Sequence, residues 1–94
     1  MYIIILNYKV DLTEVNRHLE AHRAYLDQNY AKGAFVASGP QNPRTGGVIL
    51  CNAVSRDEVE DIIATDPFNI NEVADYSIIE FSPTKYASGF EKYI

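Results

Sequence analysis

The stretch GAFVASGPQNPRTGGVILCNAV, Gly33 to Val54, decides the fold. Ala34 to Ser38 is a short β-prone run, and Val48 to Val54 is a longer apolar one. Between them Gly39-Pro40-Gln41-Asn42-Pro43-Arg44-Thr45-Gly46-Gly47 is rich in turn formers, so the two runs read as the strands of a hairpin. Upstream, Val15, Leu19, His22, Leu26 and Tyr30 recur at spacings of four, three, four and four, the repeat of one helix face. Asp11 with Glu14 three residues later forms an acidic capping box, so a first helix is expected from Leu12 to Lys32, stopping at Gly33. Downstream, Ser55 and Glu58 open a second helix with Val59, Ile62 and Ile63 on one face, and Asp66-Pro67 ends it. Tyr2 to Tyr8 before the first helix and Tyr76 to Phe81 after the second supply the first and fourth strands, the first nearly continuously apolar as expected of burial on both faces.

The resulting order, β-α-β-β-α-β, is the split βαβ or ferredoxin-like arrangement, an α+β fold with a four-stranded antiparallel sheet and both helices on one face. Strands one and three lack the alternation of a sheet with one wet side, and no third helix covers the second face. The expected covering is a second copy, sheet against sheet, in a two-fold homodimer or a higher oligomer. Ninety-four residues with no repeat, charge block or linker are expected to form a single domain, 1–94, with Pro83 to Ile94 as a tail. Tyr86, Phe90 and Tyr93 are spaced for a helical turn docked on its own subunit or a neighbour. Ala87-Ser88-Gly89 is a poor helix interior, which leaves a loosely ordered tail as the alternative.

Composition excludes several classes of partner. A net charge of −5 with eight scattered basic residues argues against nucleic acid and anionic membrane surfaces. Cys51, the single cysteine, lies within the run Val48 to Cys51 and reads as a small buried hydrophobe, with no partner for a disulfide. Met1 to Leu6 is too short for a signal segment and lacks a basic flank, and no stretch reaches membrane-spanning length, so a cytoplasmic protein is expected. No Gly-rich phosphate loop follows a strand and opens a helix, and no cofactor is expected.

His22 is the residue that packing explains least, because it occupies a position of the apolar stripe that would suit Leu. It is either a hydrogen-bonded core histidine or the centre of a site. Histidine exchanges protons near neutral pH, and a carboxylate on its other ring nitrogen would fix the tautomer and stabilise the imidazolium. Asp66 is a candidate for that carboxylate and equally a candidate N-cap of a short turn through Pro67-Phe68-Asn69. Antiparallel helices would put Asp66 near the start of helix one, whereas His22 is about 15 Å along it. The pair therefore meets only if the segment after Asp66 folds back. Ser38 is a candidate for hydrogen bonding to a substrate or to His22, and Gly39 for close approach of a ligand to the backbone; strand-end turn chemistry is the alternative for both. His18 and His22 stand four apart, but no further histidine completes a set, and no metal is expected. Tyr8, Tyr25 and Tyr30 either line a pocket for a flat ligand or belong to the core.

His22, Gly33 eleven residues on, Ser38-Gly39-Pro40 and Asp66-Pro67-Phe68 together resemble the signature of the YciI-like, or YCII-related, family. The resemblance implies a dimeric α+β barrel, a fold shared with muconolactone isomerases and small monooxygenases. It also implies an active-site histidine and aspartate, which by motif position are His22 and Asp66. The expected function is that of a small enzyme using this pair for acid/base chemistry on a small organic molecule, of isomerase, lyase or hydrolase type. The rivals are a non-catalytic small-molecule-binding module and a structural homo-oligomer.

Overall fold

A computed structural model describes residues 1–94. Its elements in chain order are β1 (Tyr2–Tyr8), α1 (Leu12–Arg17), α2 (Leu19–Ala31), β2 (Phe35–Pro40), β3 (Gly46–Cys51), α3 (Arg56–Ala64), α4 (Pro67–Ile70) and β4 (Ala74–Glu80), followed by a 3-10 turn at Phe90–Tyr93. The four strands form one antiparallel sheet in the order β2-β3-β1-β4, as the split βαβ reading requires. Tyr2, Ile4 and Leu6 of β1 turn inward with Ile49 and Cys51 of β3, and Val15, Tyr25, Val59, Ile63 and Phe68 from the helices close the core over them.

Sequence and structure part at several boundaries. The first helix is not continuous from Leu12 to Lys32. At His18 the backbone turns to φ −107°, ψ 3°, and its amide pairs with Val15 three residues back, so α1 and α2 are separate segments. Thr13, Val15, Asn16 and His18 are weak helix formers, and the first six residues rely on the Asp11 side chain, which accepts the Glu14 amide at 3.0 Å. Lys32 closes α2 and Gly33 follows at φ 77°, the left-handed conformation that ends helices without a Cβ penalty. Strand β2 runs on to Pro40, which an edge strand tolerates because the missing N–H faces away from the ladder. Strand β3 starts at Gly46 and stops at Cys51, short of Val54. Ser55 caps α3 as expected by accepting the Glu58 amide, while the Glu58 carboxylate reaches Val54 N–H rather than that of Ser55. In the tail, Asn52 donates a side-chain hydrogen bond to the Tyr93 carbonyl, tying the last turn to its own chain.

Two details of the sheet position the site. Phe35 pairs with Cys51 but Ala37 with Leu50, so Val36 is an extra residue, a β-bulge. The bulge resets the alternation: Phe35 and then Ser38, opposite Ile49, both face the helices. The second detail is Gly46, opposite Asn7. A Cβ there would lie 1.7 Å from the Leu6 carbonyl oxygen and 2.7 Å from its carbon, so only glycine lets β3 lie this close to β1. Gly46→Ala is expected to lower stability by about 1–3 kcal/mol or more, the usual cost of forced overpacking. Gly39→Ala, whose Cβ meets nothing within 4 Å, should be near neutral. Equal urea midpoints for the two variants would show that the strands separate freely at Gly46.

Candidate active site

His22 and Asp66 are in contact. His22 Nδ1 lies 2.8 Å from Asp66 Oδ1. The break at His18 leaves His22 only four residues into α2, and α3 is nine residues, about 14 Å, long. The chain then reverses through α4, which packs on α2. The carboxylate is fully buried and accepts three hydrogen bonds: Oδ1 from His22 Nδ1 and from the Phe68 amide (2.9 Å), Oδ2 from the Tyr76 hydroxyl (2.6 Å). The Phe68 bond is the N-cap of α4, so capping and pairing with histidine are performed by the same side chain. The cap even shares its oxygen with the imidazole.

This network sets the tautomer of the imidazole. A carboxylate offers acceptors only, so Nδ1 must carry the proton, and the neutral ring then presents a lone pair at Nε2. Nε2 has no partner within the protein, and no buried side-chain nitrogen or oxygen is left unpaired, so Nε2 keeps some exposure although His22 is buried as a residue. Phe68 fixes the ring plane, stacking on it at 4.0 Å between centroids and 3° between planes. One tetrapeptide, Asp66 to Asn69, thus supplies both the hydrogen bond and the surface that hold His22. Tyr76 completes the support. Burial first, then the Asp66 charge and the hydrogen bond to it, push its hydroxyl well above the ordinary range, so it remains a donor. Burial and the same charge raise Tyr25 likewise, and its hydroxyl donates to the Ile62 carbonyl.

His22 opens onto a cavity of about 310 Å³ between α2 and the β2–β3 end of the sheet. Leu6, Leu19 and Leu26 form apolar walls, while Ser38, Arg23 and Arg44 supply its polar groups beside His22. Ser38 and Gly39 border the same space as His22. Ser38 does not bond His22. Its Oγ is 2.6 Å from the Tyr30 hydroxyl, so Tyr30 holds Ser38 rather than lining the cavity. Of the three tyrosines considered from the sequence, Tyr8 alone borders the cavity, and Tyr25 packs edge-on to Phe35. The His18 side chain pairs with Glu14 at 3.3 Å and makes no side-chain hydrogen bond with the His22–Asp66 pair. Tyr76, Arg23 and Arg44 are not marked as site residues by the sequence, and Phe68 enters there only as part of the Asp66-Pro67-Phe68 motif. Only the inward alternation of Tyr76 with Ile78 in β4 hinted at any of them.

A four-stranded antiparallel sheet in the order β2-β3-β1-β4 with its helices on one face is a ferredoxin-like fold. The family model for the YCII-related domain matches residues 1–82, and the chain belongs to that family. Among solved structures, 5-chloro-2-hydroxyhydroquinone dehydrochlorinase (TftG) from Burkholderia phenoliruptrix, in complex with 2,5-dihydroxybenzoquinone, is similar in fold. Its TM-score is 0.70 at 22% identity, covering 87% of this chain and 94% of that one. No curated protein gives a significant match.

Cys51 is fully buried at the inner face, and burial, reinforced by the Glu58 charge, pushes its thiol up to about 11. It carries no thiolate near neutral pH and is not a nucleophile there. A thiol reagent should label it only after unfolding; rapid labelling of the native protein would contradict its burial. Below the ordinary thiol value of 9.0 both states hold the proton. As pH rises from there to about 11 the unfolded chain releases it first, so the stability linked to the thiol is lost over that window. Urea unfolding of wild type against Cys51→Ala should show the wild type losing more stability across it.

Proposed function

We propose that this chain is a cytoplasmic, homodimeric enzyme that moves a proton on a small organic molecule, with His22 as general base and acid and Asp66 as its orienting partner. The observation that carries the reading is the 2.8 Å bond from Nδ1 to a buried carboxylate in a histidine that lines the cavity and whose Nε2 has no partner in the protein. Neutral Nε2 takes a proton from the substrate, the imidazolium so formed is stabilised by Asp66, and the same nitrogen returns the proton to another atom or to a leaving group. Such a cycle serves isomerisation, elimination or hydrolysis. The similarity to TftG, a dehydrochlorinase seen with a quinone, favours elimination from a cyclic, oxygenated substrate. Ser38 and Gly39 are proposed to meet that substrate. The Ser38 and Tyr30 hydroxyls have two protons between them and use one on each other, leaving one to donate, and the open space at Gly39 admits a ligand close to the backbone.

A thermal-shift screen identifies ligands, since anything that binds the native state raises its melting point, and turnover of a hit then separates enzyme from binding module. His22→Ala should lower kcat by about 10²–10⁴ with the circular dichroism unchanged. Asp66→Asn is the sharper variant. Asn remains a good N-cap and its Oδ1 can still accept from Phe68 and His22, so α4 is retained, but the negative charge that stabilises the imidazolium is gone and Nδ2 offers Tyr76 no acceptor, so kcat should fall by a comparable factor. Full turnover in His22→Gln would make the histidine a structural hydrogen-bonding residue.

The dimer rests on the second face of the sheet. Register places Ile3, Ile5, Val48, Leu50 and Ile79 together on the side away from the helices, with Val48 39% and Ile79 49% exposed. An apolar sheet face of this kind is costly in water, and a second copy laid across it removes the cost. Light scattering should give twice the 10.6 kDa chain mass at micromolar concentration, and Ile79→Lys should give a folded monomer. A soluble wild-type monomer would overturn the pairing.

A further inference from the structure

Resting on the reading of His22 as the proton carrier, we infer that the substrate is an organic carboxylate, held by Arg23 and Arg44 at the mouth of the His22 cavity. The chain has four arginines. Arg17 and Arg56 are paired with carboxylates, Glu14 and Glu60, each at 3.5 Å. Arg23 and Arg44 are in no ion pair, and these are the two that border the cavity. No Asp or Glu lines that space. The nearest acid in the network, Asp66, lies behind the imidazole with both oxygens engaged by His22, Phe68 and Tyr76.

In a chain with net charge −5 this local excess of cation runs against the average field, which repels anions from the surface at large. The two guanidiniums come from different elements, Arg23 from α2 next to His22 and Arg44 from the β2–β3 connection, and they meet at one opening. Arg44 is held in place without losing its charge: its Nη2 donates to the neutral Asn16 side chain at 2.9 Å, leaving its other donors unengaged. A guanidinium matches a planar carboxylate with two parallel hydrogen bonds, a geometry that orients as well as attracts. The apolar walls of Leu19 and Leu26 then suit the hydrocarbon part, and a carboxylate anchored at the mouth directs the remainder of the molecule toward Nε2.

Benzoate, salicylate and crotonate, each set against its uncharged amide, with inorganic phosphate as a bare anion, test the inference by calorimetry and thermal shift. At least one carboxylate should bind, its amide should not, and the affinity should weaken with rising salt. Arg23→Gln and Arg44→Gln should each weaken carboxylate binding about tenfold or more at an unchanged melting point of the free protein. His22→Gln should keep the binding while removing turnover. Carboxylate binding that depends on both arginines, beside full turnover in His22→Gln, would sink the proton-transfer reading and leave the anion site standing. Equal binding of acids and amides, no binding of any acid, wild-type affinity in the arginine variants, or phosphate binding as tightly as the acids would overturn the inference.

Discussion

The structure turns on one buried carboxylate. Asp66 is withdrawn from water entirely, and an isolated charge in such a place would cost far more than a domain of this size can carry. Its position is sustained because three donors from three elements converge on it: an imidazole from α2, a backbone amide from α4 and a phenol from β4. Removing any of them leaves the charge less compensated, so the packing of α4 between α2 and the last strand is specified by polar geometry as well as by the apolar contacts of Phe68. That demand also explains the four-residue α4 itself, too short to be stable on propensity and held by a cap that doubles as the partner of a histidine.

The cavity is shaped by backbone irregularities, which side-chain identity alone does not disclose. The extra residue at Val36 turns Ser38 toward the helices, and without it Ala37 and Gly39 would occupy that face. Glycine at 46 lets β3 approach the Leu6 carbonyl and sets the width of the sheet at the end where the cavity opens. The break at His18 brings His22 back toward the start of its helix, where the end of α3 can reach it. Each is a small departure from regular geometry at an element boundary, and together they align one wall of residues from α2 with another from β2 and β3.

Sequence by itself determined the order of elements and the antiparallel four-stranded sheet, and it offered His22 and Asp66, now seen in contact, as candidates. Those follow from local causes: caps at Asp11 and Ser55, Gly33 as a helix stop, an apolar stripe interrupted by one histidine, and turn formers between two β-prone runs. It could not choose between cap and histidine partner for Asp66, because one Asp-Pro dipeptide encodes both and only the fold shows that both are made. It sets His22 about 15 Å along one continuous helix and makes the contact conditional on a chain reversal after Asp66, because the apolar repeat does not register the single altered conformation at His18. Tyr76, Arg23 and Arg44 were invisible for a more general reason. Their importance lies in which residues distant in sequence come to face them, and only tertiary packing decides that.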